Sequence, residues 1–85
     1  MVGVRKHYVT ICFRDNTEVT YVLKPNGKVE VEFETAVGKG FHSLTMSESC
    51  EVIRCDGYSP SDVDFFKRFL KDNIPLIKRW AKENA

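Results

Sequence analysis

Val29-Glu30-Val31-Glu32-Phe33-Glu34 alternates apolar and acidic residues without exception. Successive side chains of a β-strand point to opposite faces, so Lys28 to Glu34 reads as a strand with Val29, Val31 and Phe33 inward and Glu30, Glu32 and Glu34 outward. One side of the sheet must then be wet at that strand. Upstream, Glu18 to Lys24 alternates again, placing Val19, Tyr21 and Leu23 together. Pro25-Asn26-Gly27 joins the two runs, and Asn-Gly in that position predicts a type I′ hairpin with positive φ at both residues. Tyr8 to Phe13 is a further strand with Val9, Ile11 and Phe13 on one face, and Asp15-Asn16-Thr17 supplies turn chemistry after it.

Downstream the pattern is less regular. Gly38-Lys39-Gly40 interrupts the alternation, and Phe41 to Ser49 mixes apolar and hydroxyl residues with no clear period. That stretch reads as a loop, holding at most a short strand at Phe41 to Met46. Glu51 to Cys55 is a strand ended by Asp56-Gly57. Ser59-Pro60-Ser61-Asp62 then has the chemistry of a helix start: a capping hydroxyl, a proline at the first helical position and an acid able to bond back. Val63, Phe66, Leu70, Ile74, Ile77 and Ala81 recur at steps of three and four, with Phe65, Phe69 and Trp80 widening the stripe. Pro75 removes a backbone donor and crowds the Lys71 carbonyl, which predicts a kink near Asn73. The expected fold class is α+β: an antiparallel meander of four or five strands with one face covered by a Pro-kinked C-terminal helix. Eighty-five residues make one such domain, residues 1–85, since two cores do not fit.

Thirteen Lys and Arg against twelve Asp and Glu leave a formal charge of +1, so no global field advertises a nucleic-acid or membrane partner. Cys12, Cys50 and Cys55 are odd in number and lack zinc-knuckle or C-x-x-C spacing, which points to free thiols packed as small hydrophobes in a reducing, cytoplasmic setting. Met1 to Lys6 leads into an alternating segment rather than an apolar run, so no secretory leader is expected, and no stretch has the length of a membrane span. Catalytic candidates reduce to His7, His42 and the thiols, and no nucleophile elbow or metal spacing connects them. No cofactor, metal or catalytic group is expected, and the chain is read as non-catalytic. Gly38-Lys39-Gly40 lacks the remainder of a phosphate-binding loop and reads as a flexible connection. The outward glutamates read as a solvated row that deters edge pairing, rather than as a site for a cation or a basic partner.

Lys67, Lys71, Lys78 and Lys82 fall at helical steps of four, seven and four, with Arg68 and Arg79 beside them. These six residues are the candidate binding surface. A basic helix face suits phosphates or an acidic protein, although Asp62, Asp64, Asp72 and Glu83 dilute it. Gly57-Tyr58-Ser59, followed by a helix carrying Leu70, Ile77 and Trp80, resembles the end of small bacterial domains of unknown function encoded near toxin and antitoxin genes. That resemblance covers the last third of the chain. It implies a β-sheet with a C-terminal helix and a non-catalytic bacterial accessory role. The Pro-His-x-His-Val strand of those domains has no counterpart, because Lys28 to Glu34 contains no histidine. The expected function is a small binding or interaction module with an unidentified protein partner. The alternative is nucleic-acid binding through the lysine face, and association into homo-oligomers is left open.

Overall fold

Proline's fixed φ and the mobility of glycine decide the corners on which this sheet is built. The structure, a computed structural model, describes residues 5–13 and 15–84. Met1 to Val4, the greater part of the segment read above for a leader, lie outside the described residues, as do Arg14 and Ala85. The elements are β1 (Lys6–Cys12), β2 (Asn16–Leu23), β3 (Val29–Val37), β4 (Gly40–Ser47), β5 (Val52–Asp56) and α1 (Pro60–Glu83). The strands pair in sequence order, each antiparallel to the next. The architecture is thus α+β, a five-stranded meander with one C-terminal helix.

The hairpin at Gly27 forms, but not as a type I′ turn. Gly27 has φ 83°, whereas the one described non-glycine residue with positive φ is Cys50. The Gly27 N–H donates to Lys24 O at 2.9 Å, and Lys24 N–H donates to Lys28 O at 2.8 Å. Pro25 therefore enters a turn its ring already favours, Asn26 follows in ordinary backbone, and Gly27 takes the left-handed position of a three-residue loop. The Asn26 side chain accepts the Lys28 N–H at 3.0 Å, which holds Asn26 without a positive φ. The β4–β5 connection repeats the same bonding, with Ser47 N–H donating to Glu51 O and Cys50 N–H to Ser47 O, both at 2.9 Å. Cys50 occupies the place of Gly27 there with φ 65°, a conformation that costs a non-glycine residue roughly 1 to 2 kcal/mol.

Three further differences from the sequence reading have physical causes. Phe41 to Ser49 is mostly strand: β4 pairs along its length with β3, and Gly38-Lys39-Gly40 makes the corner between them rather than a flexible loop. In β1 the register shifts between His7 and Val9, so Tyr8 is an extra residue facing no partner. That bulge re-aims its ring toward the helix, where the hydroxyl donates to Asn73 Oδ1 at 2.8 Å and the ring meets Trp80 edge-on. The thiols are free but not core-filling, since Cys12 and Cys55 are exposed and only Cys50 packs against the core.

α1 starts as its sequence predicts. Ser59 Oγ accepts the Asp62 N–H and Asp62 Oδ2 accepts the Ser59 N–H, each at 3.2 Å, with Pro60 in the first turn. The helix runs through Pro75 as one element. It lies over β2 and β3 and buries Phe66, Leu70, Ile77 and Ala81 against Val19, Tyr21, Val29, Val31, Phe33, Leu44 and Met46. Thr17, Thr35 and Tyr58 form a buried hydroxyl chain at one end of this core, with both links at 2.6 Å. Each hydroxyl in that chain has a partner, so none carries the cost of an unmet buried polar group.

Gly57, between β5 and α1, has φ 97°, and a Cβ on it would overlap the His42 ring, whereas a Cβ on Gly27 would meet nothing. Gly27→Ala is therefore expected to cost about 1 kcal/mol, the backbone term alone. Gly57→Ala should cost distinctly more, about 2 to 4 kcal/mol, because His42 is wedged against Tyr58 and has to move. Urea denaturation of the two variants checks this, and equal losses would contradict it.

Candidate functional site

A helix about 10 to 12 Å across covers about half the width of a sheet whose strands lie about 4.8 Å apart. The flanks of the covered face are consequently left open, and the two flanks differ. On the β5 side every residue of the strand is exposed, including Val52 and Ile53. On the β1 side the helix presents Phe65, Leu76 and Trp80, which are 36%, 37% and 37% exposed. Phe69 lies partly buried among them, and Phe65, Arg68, Phe69 and Asp72 line a shallow cleft of about 410 Å³.

The six basic residues singled out from the sequence spread over an arc of about 120° around α1. At 100° per residue Lys67, Lys71, Lys78 and Lys82 share one flank of α1, while Arg68 and Arg79 lie beyond the crest, toward the aromatic side. Lys78 is also committed elsewhere, with its Nζ 3.0 Å from Glu48 Oε2. Lys67, Lys71 and Lys82 remain exposed, with Asp64 on the same flank.

Glu48 has no counterpart in the sequence reading. It sits in the turn after β4, accepts the Val29 N–H at 2.9 Å and pairs with Lys78, so one carboxylate ties β3, the β4–β5 turn and α1 together. The Val29 amide first, and Lys78 next, hold its carboxyl below the usual glutamate range despite partial burial. No periodicity signals such a residue, because its partners come together only once the helix has crossed the sheet.

The open face of the sheet carries the glutamate row. Glu30 pairs with Lys24 at 3.4 Å, and Glu32 with Arg5 at 3.7 Å and with the Thr45 hydroxyl at 3.5 Å. Glu34 stands directly opposite Glu18, and Asp56 lies two strands further along the same row, opposite Ser43. Among the described residues no three His, Cys, Asp or Glu side chains converge as a metal site would require. His7 bonds Thr10 Oγ1 at 3.0 Å on the exposed side of β1. His42 meets the ring of Tyr58 edge-on, in a cleft of about 100 Å³ lined by Phe13, Thr35, Val37, Tyr58 and Asp62. None of the three cysteines lines that cleft. Burial, foremost, raises the Tyr58 hydroxyl above its ordinary range, and the Thr35 hydrogen bond partly offsets this. Among the described residues no helix is long and apolar enough to cross a membrane.

Comparison with family models, curated proteins and solved structures gave no match.

The lowered Glu48 carboxyl fixes the sign of one pH effect. A group held below its unfolded value of about 4.3 contributes stability above that value and loses it as pH falls through the folded one. Glu48→Gln should therefore reduce stability at pH 7 and flatten the acid limb below about pH 4.3. Urea midpoints at a series of pH values measure this, and parallel curves for parent and variant would refute the anchoring role.

Proposed function

We propose that this chain is a small protein-interaction module that works by binding rather than by chemistry, and that it docks its partner on the aromatic and arginine flank of α1. The observation that carries this reading is that Phe65, Leu76 and Trp80 each leave more than a third of their surface in water along one flank. Aromatic residues and arginine are enriched at interface cores and lysine is depleted there. The flank has that composition, with Arg68 and Arg79 on the aromatic side and the lysines on the other. A contiguous apolar strip rimmed by charge is the usual mark of a docking surface.

The three unpaired thiols fit a reducing, cytoplasmic setting. The likeness of Gly57 to Trp80 to bacterial domains encoded near toxin and antitoxin genes fits an accessory role. A second reading, nucleic-acid binding, rests on the exposed Lys67, Lys71 and Lys82. Asp64 among them and the acids of the open face weigh against it.

A photo-reactive side chain placed at Leu76 in the producing cell should give a discrete covalent adduct, weakened by Arg68→Glu, and the same probe at Glu34 should not. Absence of any adduct at position 76 would overturn the reading. Oligonucleotide titrations at two salt concentrations separate the alternative. If the lysine flank binds phosphate, each lost contact lowers the salt slope by roughly 0.7 to 0.9, and Lys67→Glu with Lys71→Glu removes two.

A further inference from the structure

We propose that the partner on this flank is a second copy of the chain, joined by antiparallel pairing of two α1 helices about a two-fold axis between Pro75 and Leu76. The inference rests on the interaction reading above and names the partner at the same surface. Its basis is the charge pattern of the rim. Arg68, Asp72, Arg79 and Glu83 are all exposed, and at 100° per residue they fall on one flank within about 60° of each other. Along the helix they read plus, minus, plus, minus.

That order is self-complementary in one direction only. Arg79 and Asp72 lie equally far on either side of the proposed axis, and so do Arg68 and Glu83. Antiparallel pairing therefore sets Arg79 level with the partner copy's Asp72, and Arg68 level with its Glu83, both in the same register. The two-fold repeats each pair. Parallel pairing in register would set every one of the four against its like. Antiparallel helices also bring the same flank of each copy together, as this arrangement requires.

The apolar residues obey the same register. Leu76 sits at the axis against its own copy, and Phe69 comes within a turn of the partner copy's Trp80. Among the described residues none of the four rim charges makes an ion pair within its own chain. In each case arginine precedes its acid by four positions, the weaker orientation for pairing along one helix. A standard interface buries about 800 Å² per partner, roughly a seventh of this chain's 5492 Å². A single helix flank supplies less than that, so the association should be weak and should appear as concentration rises.

Sedimentation velocity of the full chain from about 1 to 300 μM, a range bracketing a micromolar dissociation constant, should show a monomer passing into a dimer. Emission of Trp80, the one tryptophan, should shift to shorter wavelength over the same range. Arg79→Glu and Asp72→Arg each create two like-charge contacts and should weaken the dimer roughly tenfold or more. Combining them exchanges the charges and should restore it. Because the altered side chains are exposed, circular dichroism should stay unchanged.

A parent that stays monomeric throughout overturns the proposal, and so does a dimer indifferent to both single changes or not restored by the pair. A monomeric parent whose Leu76 probe still captures a different polypeptide in the cell refutes the second copy alone. Absence of any adduct refutes the docking surface as well.

Discussion

A five-stranded sheet spans about 19 Å between its outer strands, and a lone helix about 10 to 12 Å wide has to seal its apolar face. The chain meets that constraint by placing Phe33, Phe66, Leu44, Met46 and Leu70, its largest fully buried side chains, where coverage is complete. Phe66 is the centre of this arrangement, with its ring 4.6 Å from Phe33, 4.8 Å from Phe13 and 4.9 Å from Tyr58. Removing an aromatic side chain from a core costs about 3 to 5 kcal/mol. A small domain has about 5 to 15 kcal/mol in all, so everything else in the fold depends on this contact. Away from it coverage thins: Val63, Ile74 and Tyr8 are half-buried, and β5 is exposed throughout.

How much of this was legible in the sequence follows from which interactions are local. The alternation of Val29 to Glu34 and the capping of α1 by Ser59 and Asp62 are short-range features, and both stand as read. The hairpin at Gly27 was placed correctly, but its type was missed because Asn26 and Gly27 alone read as the central residues of the Pro25-Asn26-Gly27 connection. Once proline is counted inside, only one residue needs a left-handed backbone. β4 reads only as a loop with a short strand as the alternative at Phe41 to Met46, because His42 faces the core side while Phe41, 61% exposed, faces out, which inverts the hydrophobic alternation at its start. The real period of two begins at Leu44 and Met46.

The candidate surface shows the same division. Helical spacing alone aligned the four lysines, and the same 100° step separates Arg68 and Arg79 from them. What spacing did not show is that Lys78 is engaged by Glu48, a contact thirty residues away in sequence. Nor did it show that Phe65 and Trp80 stay partly in water, because that depends on how far the sheet extends beneath them. β1 ends up at an edge, where Phe13 packs against Phe65 and Tyr8 against Trp80, and both of those helix rings still leave more than a third of their surface exposed.

Net charge conceals a polarised molecule. The open sheet face carries Glu18, Glu30, Glu32, Glu34 and Asp56, while α1 carries six of the thirteen Lys and Arg on the opposite side. Attraction between the acidic face of one copy and the basic helix of another would build open-ended stacks, since unlike surfaces on opposite sides never close. Ion pairing within the sheet blunts that tendency. Glu30 and Glu32 already have Lys24 and Arg5 beside them, and exposed ion pairs contribute about 0 to 1 kcal/mol each, less in salt. Burying apolar surface yields about 25 cal/mol per Å² and is indifferent to screening. If copies associate as proposed, the flank of Phe65, Phe69, Leu76 and Trp80 is therefore where burial would favour it. The alternating charges on its rim would then select the orientation of the proposed pair, because they contribute little attraction when matched but a definite penalty when like faces like.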